Sequence, residues 1–317
     1  DGRQARRTAF VSVVSGGPGP MTHVAAPEAR TGLYAGLGAY LMWGAMPLYL
    51  KLFDDISAAA VLAHRIFWSA VLLGIVIVAA RRLTALRAAV IQPRLLLWLG
   101  FSATMIGLNW YIYTWAILND RVLDTSLGYF IQPLLNTLLG TLFLGDRLGT
   151  WGAVATVLAA FGIAVATIAA GGLPLIALGL AGAFALYSLA RNRAAVDAVT
   201  GLFIETLALA PVALWYLYAF EGGIFGEDAA TTALLMLAGV VTSVPLALFG
   251  YAARRLTLTA IGFLQYIAPS TVFLLAVFLY DEPLDLLRLG AFLFIWSGLL
   301  VFSVGGLRQR RTSAKAA

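Results

Sequence analysis

Ten stretches of about twenty apolar residues follow one another along the chain, and almost every linker between them is short. They run Leu33 to Phe53, Ser57 to Ala80, Leu95 to Leu118, Val122 to Leu144, Trp151 to Ala170, Leu173 to Ala190, Thr200 to Phe220, Thr231 to Ala253, Leu258 to Tyr280 and Leu286 to Leu307. A hydrocarbon layer about 30 Å thick is crossed by about twenty helical residues rising 1.5 Å each. Only 11% of residues are charged, against about 25% in soluble domains. Lipid offers no partner to a bare peptide group, so stretches of this length must be helices. The fold class predicted is an all-α integral membrane protein of ten transmembrane helices, with no room for a domain outside the bilayer.

The net charge of +6 suggests nucleic acid until its distribution is followed. Short loops on the cytoplasmic side of a membrane collect Lys and Arg. If the N-terminus is cytoplasmic, seventeen basic residues fall on that side and three, Lys51, Arg121 and Arg288, on the other. Both termini are therefore expected inside, residues 308–317 forming a basic cytoplasmic tail, and no nucleic-acid partner is expected. The first twenty residues hold no apolar run long enough for a signal-peptide core. Residues 1–30 read as a disordered extension, with Met21 as the natural start.

An internal repeat underlies the ten stretches. Shifting the chain by 136 residues lays Ala116 to Val165 on Ala252 to Val301, pairing Ile131 with Ile267, Pro133 with Pro269, Asp146 with Glu282 and Gly162 with Gly298. Five spans per half is an odd number, so the second half enters the membrane in the opposite sense. Two inverted five-helix repeats, residues 31–170 and 171–307, follow, and in such folds the substrate site lies between the halves near the midplane.

Span 4 places Gly128, Gln132, Asn136 and Gly140 at intervals of four, hence on one face, with Ser126 and Tyr129 nearby. Pro133 denies the Tyr129 carbonyl its partner and should bend the helix. Span 9 repeats the plan with Gly262, Tyr266 and Ser270, Gln265 beside them and Pro269 freeing the Gln265 carbonyl. Such faces either line a wet cavity or bind helix to helix through hydrogen bonds, and the residues alone leave both readings open. Span 3 adds Asn109, Trp110, Tyr113 and Trp115, whose aromatic members read as packing or interface anchors more readily than as ligand contacts. In span 1, Gly32 and Gly36 suit close packing, and Lys51, Asp54 and Asp55 at its end are expected to reach toward headgroups.

Charges inside spans are few. Arg65, beside His64 in "AVLAHRIFWSAVLLGIVIVAA", lies about 12 Å in from the outer face by helix rise. Three roles stay open: a structural lock to Asp124 or a carbonyl, contact with a substrate anion or a gate, and snorkelling. Glu205 is the one carboxylate well inside a span, about 8 Å from the inner face, with Arg191 or Arg254 as partners. Glu205 and Asp124 are the candidates for proton coupling. Asp146 and Glu282 sit at helix ends, where capping or turn roles are expected.

There is no Cys, no phosphate-binding loop and no zinc-binding HExxH, so an enzyme, a metal or another cofactor is not expected. Partners expected are a small-molecule substrate and the lipid bilayer, with a homodimer left open.

The stretches "LAHRIFWS", "TSLGYFIQPLLN", "LFLGDRL", "GLFIETLALAP" and "GFLQYIAPS" together resemble the RarD branch of the EamA family in the drug/metabolite transporter superfamily, over Thr31 to about Arg311. The resemblance implies a ten-helix inner-membrane permease with spans 1 to 4 and 6 to 9 around a central cavity. It implies signature positions at His64, Arg65, Gly128, Tyr129, Phe130, Pro133, Glu205, Thr206, Gln265, Tyr266 and Pro269. Gln132 departs from the Asn expected there. The expected activity is secondary transport of a small polar or amphipathic metabolite or drug by alternating access, with proton coupling as one option. The alternative is a passive facilitator on the same scaffold.

Overall fold

A computed structural model describes residues 26–53, 55–144, 149–220, 225–253, 255–256 and 258–316. Met21, Asp54, Asp146, Arg147 and Arg254 lie outside the described residues. Every regular element among the described residues is helical: α1 (Ala26–Gly44), α2 (Met46–Leu50), α3 (Ala58–Ala79), α4 (Leu83–Val90), α5 (Pro93–Leu118), α6 (Val122–Leu139), α7 (Thr150–Ala170), α8 (Leu175–Arg193), α9 (Ala198–Phe220), α10 (Ala229–Ala253), α11 (Leu258–Leu264), α12 (Ile267–Phe278) and α13 (Leu286–Ala316).

Eight described helices are long and apolar enough to cross a membrane: α3, α5, α7 to α10, the Ala260–Phe278 stretch, and Leu286–Gly305 of α13. Spans 1 and 4 of the expected ten correspond to α1 and α6, which stand outside this set. In α6 the reason is chemical, since Asp124, Gln132 and Asn136 dilute its apolar character. The irregularities fall where the sequence breaks a helix. A turn at Ala45 precedes Pro47, and α6 passes into a π-helical segment over Gly140–Leu144. Span 9 breaks at Gln265 and Tyr266, just before Pro269, which has no N–H to offer the Gln265 carbonyl. Three observations lie outside the expectation: α1 begins at Ala26, α13 runs on to Ala316, and α4 forms a short helix in the basic segment between α3 and α5.

Small residues set the closest approaches. A Cβ added at Gly162 of α7 would meet Ile295 and the Ala291 carbonyl of α13, and one added at Gly298 of α13 would meet the Ala155 carbonyl of α7. A Cβ at Gly239 of α10 would stand 2.6 Å from the Trp68 carbonyl of α3. Substituting any of these requires the two backbones to separate.

Both ends of the bundle are tied. At one end Lys51 pairs with Asp120 at 2.6 Å, so it is anchored to protein where the sequence suggested headgroups. There too the Tyr49 hydroxyl donates to the Leu234 carbonyl, and Glu282 accepts from the first amides of α6, Val122 at 2.5 Å and Leu123 at 2.8 Å. Of the capping and turn roles open to it, Glu282 takes a cap, on the amino end of the distant α6. Burial pushes its carboxyl above the ordinary value of 4.5, against the pull of those amides. At the opposite end Arg82 pairs with Asp197, and Arg193 donates to the Phe143 carbonyl.

Candidate functional site

Arg65 sits on the second turn of α3, whose N-cap Ser57 accepts from the Ala60 amide. Gly239 brings α10 against α3 at Trp68, and one turn further along α10 Thr242 reaches the Arg65 guanidinium. Arg65 donates from Nη1 to Thr114 Oγ1 at 2.9 Å and from Nε to Thr242 Oγ1 at 3.4 Å. It lies 5.7 Å from the centre of the Trp110 ring and is near enough to Tyr49, Tyr113 and Tyr129 for them to feel its charge. Its exposure is 4%. Among the described residues no carboxylate comes within ion-pair distance of it. A buried guanidinium without a counter-ion is expected to cost several kcal/mol, which hydroxyl dipoles and aromatic faces offset in part.

The expected partner is elsewhere. Asp124 accepts from Arg121 at 2.7 Å, three residues away at the start of the same helix, so the lock between Arg65 and Asp124 does not form. Asp124 and Arg121 border a cavity of about 380 Å³ at the Lys51 end, lined also by Leu127, Ile176, Arg288 and Phe292.

Asn109 and Tyr129 join the Arg65 region. Asn109 donates to the Leu180 carbonyl of α8 at 2.9 Å, and the Tyr129 hydroxyl donates to Asn109 Oδ1 at 3.3 Å. The rings of Tyr113 and Tyr129 stand 5.6 Å apart. Further along α6, Gln132, Pro133 and Asn136 are half-buried, and Asn136 Oδ1 has no hydrogen-bond partner among the described residues.

Other singled-out residues have different surroundings. Gly128 packs on the backbone of Ala177, so what it provides is close contact between α6 and α8. His64 is buried and stacks on Phe225 with centroids 5.3 Å apart. Gln265 and Tyr266 form the break in span 9, with the Tyr266 hydroxyl turned to Ser303 of α13. The Pro269 carbonyl accepts from Ser126 at 2.9 Å, tying α12 to α6.

Glu205 occupies a second polar island. It is fully buried, accepts from Ser102 Oγ at 2.5 Å and lies 3.5 Å from Arg191 Nη1, with Tyr187 beside both. Of the two expected partners, Arg191 takes the role, and Arg254 lies outside the described residues. The fit depends on Gly201, one turn before Glu205, where an added Cβ would fall on the Arg191 guanidinium.

Sequence reasoning passed over Thr114, Thr242 and Ser102. A single hydroxyl in an apolar helix satisfies itself on its own backbone and creates no periodic signal. Only the identity of the charges opposite them could have pointed to them.

Comparison with known proteins agrees with this architecture. Residues 30–168 match the EamA-like transporter family. An uncharacterized transporter of Vibrio cholerae is 43% identical over 91% of this chain and 97% of its own length. Protein RarD of Escherichia coli is 41% identical over 91% of this chain and 99% of its own. The chloramphenicol-sensitive protein RarD of Pseudomonas aeruginosa is 31% identical over 90% of this chain and 97% of its own. A crystal structure 21% identical in sequence shares the fold, with a TM-score of 0.56 over 86% of this chain and 97% of the other. Identity of this extent over nearly whole chains, on a bundle of apolar helices with polar islands inside it, makes the chain a RarD-like member of the EamA-like transporter family, a multi-pass membrane transporter.

Proposed function

We propose that the chain is a ten-span secondary transporter of the inner membrane, with both termini cytoplasmic, moving a small polar or amphipathic organic molecule by alternating access. Its two halves are inverted five-helix repeats. The contacts between α7 and α13 support this, because Gly162 against Ala291 and Gly298 against Ala155 exchange under the same 136-residue shift that aligns the halves. A pair of contacts that map onto each other is what a pseudo-two-fold axis requires.

The observation that carries the transport reading is Arg65, a charge with no counter-ion among the described residues, held by one hydroxyl from each half, Thr114 on α5 and Thr242 on α10. A polar centre between repeats is where such folds bind their cargo. In this orientation the ties around Lys51, Tyr49 and Glu282 close the outer end, and those of Arg82 and Arg193 close the inner. Glu205 is the candidate for proton coupling, since protonating it would release Arg191.

The name carried by the Pseudomonas aeruginosa relative makes amphenicols worth including among test compounds. The test is flux in proteoliposomes for amino acids, organic acids and chloramphenicol, with and without a pH gradient. Saturable flux that follows the gradient is the expected result. Folded protein that moves none of them overturns the reading, and flux indifferent to every gradient but the solute's own favours the facilitator. If Glu205→Gln leaves accumulation driven by the pH gradient intact, its coupling role is wrong.

A further inference from the structure

Each buried or half-buried carboxylate among the described residues already has a partner: Glu205 has Arg191, Asp124 has Arg121, and Glu282 has two amides. Among the described residues Arg65 therefore draws no counter-charge. Its two hydrogen bonds to threonine use two of the five N–H donors of a guanidinium, and the remaining fork matches a carboxylate in bidentate geometry. Trp110 and the Tyr113–Tyr129 pair supply aromatic surface at the same place.

We infer that Arg65 is the subsite for the substrate's carboxylate, and that the substrate class is a monoanionic carboxylate with an aromatic or extended apolar body. This rests on the transport reading above. A single cation suits a single negative charge, whereas a phosphate dianion would leave one charge uncompensated in a low-dielectric site. The aromatic shell suits the body, since stacked and edge contacts add to simple burial. The competing role is a strut, in which Arg65 only holds α3 to α5 and α10.

The experiment uses the full chain in proteoliposomes and measures entry of phenylacetate and indole-3-acetate against phenylacetamide, indole-3-acetamide and phenyl phosphate, with chloramphenicol as a neutral reference. Wild type is expected to prefer each carboxylate over its amide by at least about tenfold, because an amide cannot pair with the guanidinium. Arg65→Gln should erase that preference. Arg65→Lys should keep it with weaker apparent affinity, and Thr114→Val should weaken affinity several-fold while keeping the preference. The lysine and valine variants carry the test if the glutamine variant does not fold.

Equal handling of acid and amide by wild type overturns the inference, as does a preference that survives Arg65→Gln, or phenyl phosphate preferred over both acids. If chloramphenicol moves and no carboxylate does, the transport reading stands and the carboxylate subsite falls. If nothing moves, including chloramphenicol and the wider panel above, both fall.

Discussion

Arg65 and Glu205 are both charges sunk in apolar helices, yet the protein treats them differently. Glu205 is given a cation at 3.5 Å, a serine hydroxyl and a glycine that clears space for the cation. Arg65 is given two threonine hydroxyls and an aromatic wall. The first site has its charges paired, although Glu205 Oε2 and Arg191 Nη1 make no hydrogen bond among the described residues, and it joins α5, α8 and α9 as a buried joint. The second is held in place with no counter-charge among the described residues. A paired buried charge avoids the larger penalty of an uncompensated one, and an uncompensated charge is what the carboxylate subsite proposed above requires.

The difference is open to attack at four points. Arg191→Met leaves Glu205 buried without its cation and should destabilise by about 3–5 kcal/mol in a denaturant titration, with Arg191→Met plus Glu205→Gln recovering most of the loss. An additive double variant would mean that the pair is not a unit. Gly201→Ala should cost about 1–3 kcal/mol, because the new methyl falls on the Arg191 guanidinium and pushes it off Glu205. Combined with Glu205→Gln its effect should shrink.

Arg65→Gln should cost about 1 kcal/mol or less in the same titration, since the bonds lost are offset by removing an uncompensated charge, while transport collapses. A drop as large as that of Arg191→Met would make Arg65 a strut. The smallest effect is expected at the rim, where Asp197 pairs with Arg82 and accepts from the Thr200 amide at 3.1 Å. Burial raises its carboxyl, but the Thr200 hydrogen bonds and the Arg82 charge outweigh it and hold the group below its ordinary 3.8. A depressed acid stabilises the fold above that ordinary value and loses its contribution as pH falls through the folded value. Asp197→Asn should therefore cost under about 1 kcal/mol near pH 7, solvent screening keeping it small, and its gap from wild type should close below about pH 3.8.

Much of the helical fold was legible because a hydrocarbon layer imposes a length on every helix that crosses it. The break at Gln265 was legible too, from Pro269, whereas the turn at Ala45 was not anticipated. What the sequence does not carry is azimuth. Depth along a helix put Asp124 near the level of Arg65, but Arg121, three residues from Asp124, takes it first. The same blindness hid Thr114 and Thr242, which become meaningful only once α5 and α10 are turned toward α3. Glu205 and Arg191 were legible because ionised groups at that depth have few alternatives.

The cap on α6 bears on the order of assembly. The amides of Val122 and Leu123 wait for a carboxylate on Glu282, 160 and 159 residues later in the chain. While the ribosome is still making the second half, the amino end of α6 is bare, and it is sealed only when the last connection before α13 emerges. The first half is thus finished by the second, and a chain truncated before Glu282 should be recognised by quality-control proteases at that exposed turn.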